Sequence, residues 1–363
     1  MVTLQRVNSS GNINVNAEST GAVYAVGAGV GVSTNSAALG GSIAINRGHN
    51  STNALIENVN LVDDSRNTGI NVNARDKINK LAVVGNLQFS GGSAAVGGAV
   101  AYNDVGTSNS RQTTNAEIKN STLQGLKNVS VTADDKSELT TIGGGVGAVA
   151  VATINKDVGT SISNSNIRSD GLTEINSATS EDITTSADVL ALNLGTGAAI
   201  GAGVSINNDD TKTSSAVKSS SIEGNGLEVL AANNSAILNV GIGGSAGGTG
   251  AAVTGSVAVN NISGKTSSSI DESQVTSNGN KNVVVDAQSD ERISNYAGSI
   301  SFTGTGGAVG VSVSRNNITS ETNAEITGKN SAITVNRSQL LRLKEVGACP
   351  YLHQSLPDAR FKR

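Results

Sequence analysis

One phrase recurs six times along the 363 residues of the chain. Each copy has a run of small residues, a stretch in which apolar residues alternate with small or polar ones, and a closing asparagine. The closing positions are Asn46, Asn103, Asn155, Asn207, Asn260 and Asn316, at successive intervals of 57, 52, 52, 53 and 56 residues. A period of this length is typical of a solenoid, in which each repeat contacts only its neighbours.

Each phrase has the two-residue period of a β-strand. In SVAVN, Val257 and Val259 share one face, and Ser256, Ala258 and Asn260 share the other. Before residue 337 we find no segment with the apolar spacing and capping residues that a helix needs. The sequence therefore predicts an all-β solenoid of about six imperfect repeats of 52–57 residues, in which the six asparagines have a structural role.

The repeat length leaves the number of coils open. About three coils of roughly 19 residues per repeat, stacked about 4.8 Å apart, would make a rod of roughly 17 coils and on the order of 80 Å. Two longer coils per repeat are the alternative. In both arrangements stacked asparagine amides can form hydrogen-bonded ladders, and inward β-branched side chains can form a narrow core.

The composition excludes a thick globular core. The chain has three Phe, four Tyr, no Trp and one Met, against 44 Gly. Its apolar residues are mostly small or β-branched, and they suit thin, closely stacked β structure. We expect the scarce aromatic residues, Phe89, Phe302, Tyr24, Tyr102 and Tyr296, to plug the cross-section at coil corners; the alternative is that they are exposed anchors for a ligand.

Charge and cysteine content limit the partners and the compartment. The net charge is -4 and no basic stripe is present, so we expect no nucleic-acid partner. The single cysteine, Cys349, excludes an internal disulfide framework. The residues after Met1 do not form a signal peptide, and the longest uncharged stretch, Val229–Gly264, is too interrupted by small polar residues to predict a transmembrane helix.

The pattern divides the chain into a lead-in (1–10), the repeats (11–336) and an atypical tail (337–363). Most repeats close with an element such as NVSVTADD, and Gly11–Ser19 resembles it, so we expect the chain to begin inside a repeat. Ala332 begins a similar element, but from Arg337 the pattern stops and both prolines follow. We interpret the tail as non-native or disordered; a genuine cap is the alternative.

Local motifs imitate ligand sites without completing them. Gly143–Ala148 has a loose dinucleotide-loop spacing but precedes a predicted strand and not a helix. Gly264-Lys265-Thr266 is predicted to be a solvated turn, and Gly243–Gly248 lacks the aspartates of calcium-binding glycine repeats. We expect no cofactor and no metal.

Acidic residues and histidines also give no catalytic constellation. The acidic pairs, Asp63/Asp64, Asp134/Asp135 and Asp209/Asp210, are interpreted as solvated turn residues. His49 lies in a repeat turn, and His353 and Cys349 lie in the tail. No Ser/His/Asp or Cys/His arrangement follows from these residues, so we expect no enzymatic activity.

The recurring phrase, with its polar turn and closing NVxVxA element, resembles the large exoproteins of two-partner secretion systems over about residues 11–336. Within that group the chain is most similar to fusobacterial leukotoxins and more distantly similar to filamentous haemagglutinins. The resemblance implies a right-handed parallel β-helix, an outer-membrane transporter as secretion partner, and a location outside the cell or on its surface. It also implies a role in adhesion, haemagglutination or cytolysis.

Three functions follow as expectations. The first is a repetitive shaft of a secreted virulence exoprotein, which contacts host cells such as leukocytes and contributes to their killing or to adhesion. The second is a membrane-active cytolysin, suggested by uncharged segments such as Leu238–Gly264. The third is a polysaccharide-active β-helix enzyme, which would need acidic and basic residues along one groove; the sequence shows no such clustering.

Overall fold

The computed structural model describes residues 11–92, 94–335 and 341–347, and the described part of the chain is all β, without a helix. The strands form three parallel sheets, which we call sheets A, B and C. Sheet A contains β1 (Ile13–Ser33), β5 (Gly69–Ser90), β9 (Asn128–Gly145), β12 (Thr173–Asn193), β15 (Leu227–Gly247), β18 (Val283–Thr303) and β21 (Leu341–Gly347).

Sheets B and C supply the other two sides of each coil. Sheet B contains β2 (Ala38–Asn46), β3 (Ser51–Glu57), β6 (Ala95–Val105), β7 (Gln112–Lys119), β10 (Gly147–Ser163), β13 (Ala199–Lys218), β16 (Ala252–Asp271) and β19 (Ala308–Thr327). Sheet C contains β4 (Asn60–Val62), β8 (Thr122–Leu126), β11 (Asn166–Ser169), β14 (Ser221–Gly224), β17 (Gln274–Ser277) and β20 (Ala332–Val335).

Each sequence repeat forms one coil, which confirms the parallel β-solenoid and corrects the expected number of coils. Leu227 of β15 pairs with Val283 of β18, its equivalent in the next repeat. The same one-coil offset relates neighbouring strands of sheet B, as Asn207 and Asn260 show. Six stacked strands span about 24 Å, whereas a strand of 21 residues is about 70 Å long. The molecule is therefore a broad, short stack and not a rod of 17 coils.

The coil is a wedge in cross-section. Sheets A and B face each other, and the short sheet C closes their wide end around a core of Ile, Leu and Val, among them Ile70, Ile162 and Leu123. At the other end a tight arc joins each sheet A strand to the following sheet B strand, and there the core is reduced mainly to alanine and valine. A second cluster of buried Ile, Leu and Val, among them Ile78, Leu139 and Ile154, lies between sheets A and B further from sheet C. The aliphatic core thus extends from the wide end into the middle of the wedge, and only the part beside the arcs is reduced to alanine and valine.

At the C-terminal end of the repeats, two strands differ from the pattern of the sequence. Ala332–Val335 pairs with β17 in sheet C, so it is not the closing element predicted from its sequence. Residues 341–347, which lie in the segment interpreted as an atypical tail, form β21 and pair with β18. The expected boundary at 337 thus does not end sheet A. The lead-in (1–10), residue 336 and the rest of the tail (337–340 and 348–363), with Cys349 and His353, lie outside the described residues.

Candidate functional surface

Five of the six predicted asparagines lie in one row on the inner face of sheet B. Asn46 Nδ2 donates to Asn103 Oδ1 at 2.9 Å. Further along the stack Asn207 Nδ2 donates to Asn260 Oδ1 at 2.8 Å, and Asn260 Nδ2 donates to Asn316 Oδ1 at 2.9 Å. These direct amide bonds satisfy polar groups that are otherwise shut away from water.

Asn155 does not belong to this row, although its motif resembles those of the other five asparagines. The row passes through Ala152, which pairs with Asn103 on one side and Asn207 on the other. Asn155 lies three positions further along and donates to the carbonyl oxygen of Gly106 at 3.3 Å. The motifs are evenly spaced in sequence, but one residue separates β9 from β10 whereas five separate β12 from β13, so equal spacing does not give equal register.

Sheet A completes the hydrogen bonding of the row. Asn239 Nδ2 donates to Asn260 Oδ1, and Asn295 Nδ2 donates to Asn316 Oδ1, both at 2.8 Å. The amides therefore connect neighbouring coils and also bridge the two facing sheets. This arrangement supports a structural role for the row.

A serine ladder at the corner between sheets B and C was not foreseen. The backbone N–H of Ser121 donates to Ser165 Oγ, Ser165 N–H donates to Ser220 Oγ, and Ser220 N–H donates to Ser273 Oγ, each at 3.1 Å. Each serine follows a residue with positive φ, such as Asn120 (φ 49°). Each repeat contributes only one serine to the ladder. A single serine cannot be recognised as a repeated feature in the sequence until the register between coils is known.

The same corner forms an open groove of about 680 Å³. Its lining is almost entirely Asn, Ser, Thr and Gln, and Glu272 is the one carboxylate among the described residues that line it. The groove therefore offers hydrogen bonds but lacks the paired carboxylates that glycoside hydrolysis uses.

The interpretation of the acidic pairs as solvated turn residues holds only in part: Asp63 and Asp64 lie in the turn after β4, but the other two pairs lie within strands. One member of each pair is buried: Asp63, Asp135 and Asp209 are at most 1% exposed. Asp63 accepts hydrogen bonds from the backbone N–H groups of Ser65 and Thr68, both at 2.9 Å. The hydroxyl of Ser65 donates to the same carboxylate at 2.5 Å. This hydroxyl, followed by the donors of Thr68 and the backbone of Ser65, holds the pKa of Asp63 well below its usual range.

Asp135 and Asp209 belong to a charged cluster inside the wedge. Lys156 projects from sheet B between the carboxylates of Asp135 and Glu181, both on sheet A, and is fully buried. Asp76 also lies beside Asp135, sharing Gln112 as a donor. Burial, together with the neighbouring charge of Asp135, raises the pKa of Asp76.

The glycine motifs have structural positions. Gly143–Ala148 forms the tight arc between β9 and β10, and Gly243–Gly248 ends β15. Gly264, Lys265 and Thr266 lie within β16, so the predicted turn is wrong. At the arcs a side chain on one sheet faces glycine on the other: a Cβ on Gly201 would lie 2.4 Å from Val189 Cγ1. Glycine here permits close approach of the two sheets.

The outer face of sheet B carries a continuous row of aliphatic side chains near the arcs. The row crosses all six coils and contains Ile43, Val100, Val149, Val204, Val257 and Val313. Ile43 is 68% exposed and Val313 is 50% exposed. These side chains contribute little to the hydrophobic core, because they face away from the interior of the wedge.

The outer face of sheet A is also apolar beside the arcs. One row there contains Val32, Phe89, Leu192, Ala246 and Phe302. Phe302 is 67% exposed, and Tyr24 and Tyr296 are each 63% exposed on the same sheet, so the expectation that these aromatic residues plug the coil corners is wrong. We call the two rows together the apolar band. Contiguous exposed apolar surface of this kind marks interaction sites.

The wide end of the wedge has the opposite surface character. Outward positions on sheet A include Asn73, Arg75 and Lys77, and on sheet B they include the exposed ion pair Lys265–Glu321 at 3.0 Å. The surface is therefore divided along the strands into a polar half next to sheet C and an apolar half next to the arcs.

No protein family, curated protein or solved structure matches the chain. Within the described ranges no helix is long and apolar enough to cross a membrane. The same residues include no group of three or more His, Cys, Asp or Glu side chains arranged to hold a metal ion. The surface itself is therefore the basis for the functional argument.

Proposed function

We propose that this chain is part of the repetitive shaft of a large secreted bacterial exoprotein, and that its apolar band binds the surface of host cells such as leukocytes. The observation that carries the proposal is the apolar band, which runs across the outer face of each long sheet and is most exposed in the first and last coils. No reaction is assigned to the chain. The resemblance of its repeats to two-partner secretion exoproteins supports the secreted context and an outer-membrane transporter as partner.

The architecture suits such a role. Each coil gains its hydrogen bonds from the previous coil, so the fold can be built by successive addition as a chain emerges outside a cell. Similar apolar side chains recur on the outer faces of successive coils. Several weak contacts can therefore form at once and strengthen binding through avidity. In the proposed parent protein this segment contributes to leukocyte toxicity or adhesion through contact.

Binding of the labelled chain to leukocytes, measured by flow cytometry against concentration, tests the proposal. We expect saturable binding. Ile300 lies two positions before Phe302 on the same face of β18 and is 58% exposed. Replacement of both residues by serine should weaken binding by about tenfold or more, because exposed aromatic anchors contribute disproportionately at interfaces. The matched control is Lys265→Ser with Glu321→Ser, an exposed pair in the polar half.

Two results would contradict the proposal. One is the absence of saturable binding by the folded chain. The other is an equal loss of binding in the band variant and the polar control, which would separate binding from the apolar band.

A membrane-active cytolysin is the second candidate, because the same apolar band could enter lipid. Release of a dye from phosphatidylcholine liposomes distinguishes it. Intact vesicles at high protein concentration, together with saturable cell binding, favour adhesion. Dye release that is lost in the Ile300→Ser, Phe302→Ser variant favours direct membrane action.

A further inference from the structure

Lys156 lies in a solvent-inaccessible site between the two long sheets. Its side chain and those of Asp135 and Glu181 are fully buried. Nζ contacts Asp135 Oδ1 and lies 3.6 Å from Glu181 Oε1. Lys156 therefore presents an amine to one carboxyl group at hydrogen-bond distance with a second carboxyl group beside it.

The other oxygen of Asp135 is held by two donors. Gln112 Nε2 donates to Oδ2 at 3.0 Å, and Thr114 Oγ1 donates to the same oxygen at 2.7 Å. Both donors lie on β7, which pairs with the β10 segment that carries Lys156. Donors fixed on one carboxyl oxygen stabilise the negative charge that gathers there when a nucleophile attacks the carboxyl carbon.

Glu181 is placed to transfer protons. Oε1 accepts from Thr211 Oγ1 at 2.7 Å, while Oε2 is buried without a hydrogen-bond partner. Burial and the adjacent Asp209 raise the pKa of Glu181 far above its usual value. Glu181 is thus a neutral acid whose two oxygens can donate one proton and accept another.

We propose that Lys156 and Asp135 form an intramolecular amide bond, an isopeptide link between sheets A and B of one coil. The reaction begins with proton transfer from the ammonium of Lys156 to Oδ1 of Asp135 across their hydrogen bond. Nζ then forms a bond to Cγ of Asp135. Glu181 accepts the second Nζ proton and donates its own to the departing Oδ1 hydroxyl. The Cγ–Oδ1 bond breaks, one water leaves, and Glu181 is again an acid.

The condensation is favoured because the site is shielded from solvent. Burial lowers the pKa of Lys156, but the adjacent charge of Asp135 acts in the opposite direction, and the net shift is upward, so the amine starts as an ammonium. In bulk water such an ion pair is favoured over an amide because both charges are hydrated. In the wedge that hydration is absent, and the amide removes both charges from a low-dielectric interior. All atoms come from the two side chains, with no oxidant or cofactor.

Mass spectrometry of the intact, folded chain tests the link. We expect a mass lower than the sequence mass by one water, and a digest should contain a branched peptide whose fragment ions place the bond between Lys156 and Asp135. Fragmentation also separates this product from a succinimide, which loses water within one peptide. If the natively folded chain has the full mass calculated from its sequence, with no water lost, the proposal is overturned.

Variants separate the chemistry from folding. Lys156→Met should remove the link, and Glu181→Gln should remove or greatly slow it while circular dichroism still reports β structure. Asp135→Asn should form the same link with loss of ammonia in place of water. A link that forms at the wild-type rate in folded Glu181→Gln contradicts the assigned proton transfer.

Two other lysines serve as internal controls. Lys80 is also buried, but its Nζ donates to the backbone carbonyls of Gly48 and Asp104. Lys265 contacts a carboxylate, Glu321, but in water. Both should remain unlinked in the same digest. Linkage of either would show that the reaction does not depend on the buried arrangement around Lys156.

Discussion

At the scale of single residues, the direction of a side chain decides its role in this solenoid. Asn207 and Asn208 are adjacent and chemically identical, but Asn207 is fully buried in the asparagine row and Asn208 is exposed. Asn207 Nδ2 donates to Asn260, and its Oδ1 accepts from the hydroxyl of Thr185. The pair therefore separates the effect of the row from the effect of asparagine in a strand.

We predict that Asn207→Ala lowers the free energy of unfolding by about 1–3 kcal/mol. The substitution leaves the buried hydroxyl of Thr185 without its acceptor and removes one of the two amide donors to Asn260 Oδ1. Urea denaturation followed by circular dichroism measures the change. Asn208→Ala is the control and should change stability by less than about 0.5 kcal/mol. Similar losses in the two variants would show that the buried amide bonds do not stabilise the row.

Asp63 gives a pH-dependent prediction. Its pKa is lowered in the folded state by the donors of Ser65 and Thr68, so its stabilising effect is complete above the unfolded value of about 4 and is lost as the pH falls below it. Asp63→Asn should therefore lower the urea midpoint at pH 7, and this difference should shrink at about pH 3. Asp64→Asn, in the exposed neighbour, should leave the midpoint at pH 7 unchanged. A deficit in Asp63→Asn that is equal at both pH values would contradict the assignment.

At the scale of elements, the two long sheets fit together near the arcs by complementary volume. In the coil that contains β12 and β13, Val189 on sheet A faces Gly201 on sheet B. In the next coil, which contains β15 and β16, the arrangement is reversed, because Gly243 on sheet A faces Thr254 on sheet B, with only 2.6 Å between a Cβ on Gly243 and Thr254 Oγ1. The spacing of the sheets is thus preserved although the residues exchange sides.

We predict that Gly201→Ala destabilises the fold by about 1–3 kcal/mol through overpacking against Val189. In a Val189→Ala background the same change should cost at least about 1 kcal/mol less, since the clashing methyl group is gone. Thermal or urea denaturation of the four proteins completes the cycle. Gly255→Ala is the control, because its Cβ would lie 3.6 Å from the nearest atom. Additive effects in the cycle would contradict the proposed fit.

At the scale of the whole molecule, one repeat is one coil, so the number of repeats sets the height of the stack and the strand length sets its breadth. These two dimensions are independent. Removing a complete coil should shorten the stack and leave the strands unchanged, because Gly226 can be joined to Val283 in the register that Leu227 now occupies.

We predict that a chain lacking residues 227–282 folds and unfolds cooperatively, with a lower urea midpoint because one set of neighbour contacts is lost. Small-angle X-ray scattering should show a longest dimension still close to about 70 Å, which is set by the strands. Deletion of residues 227–255 is the control; it ends within a strand, and we expect it to lose β structure. A longest dimension that falls in proportion to the residues removed from 227–282 would contradict one coil per repeat.

Sequence periodicity predicts much of this fold and little of its surface. The two-residue alternation around Val257 and Val259 identifies strands, and their period identifies stacking. The same alternation could not show that Asp135 and Asp209 lie inside, because acidic residues are normally solvated. Nor could it show that Phe302 faces outward, since a thin core and an exposed row have the same pattern.

The sequence alone determined that the chain is an all-β solenoid with small, β-branched and amide side chains in repeated positions, because those properties depend on local periodicity. The tertiary structure decided the number of coils, the place of Asn155 outside the asparagine row, and the meeting of Lys156, Asp135 and Glu181. Those features depend on register and on which faces of the two sheets oppose each other. Loops of unequal length shift both, and packing between distant residues fixes them.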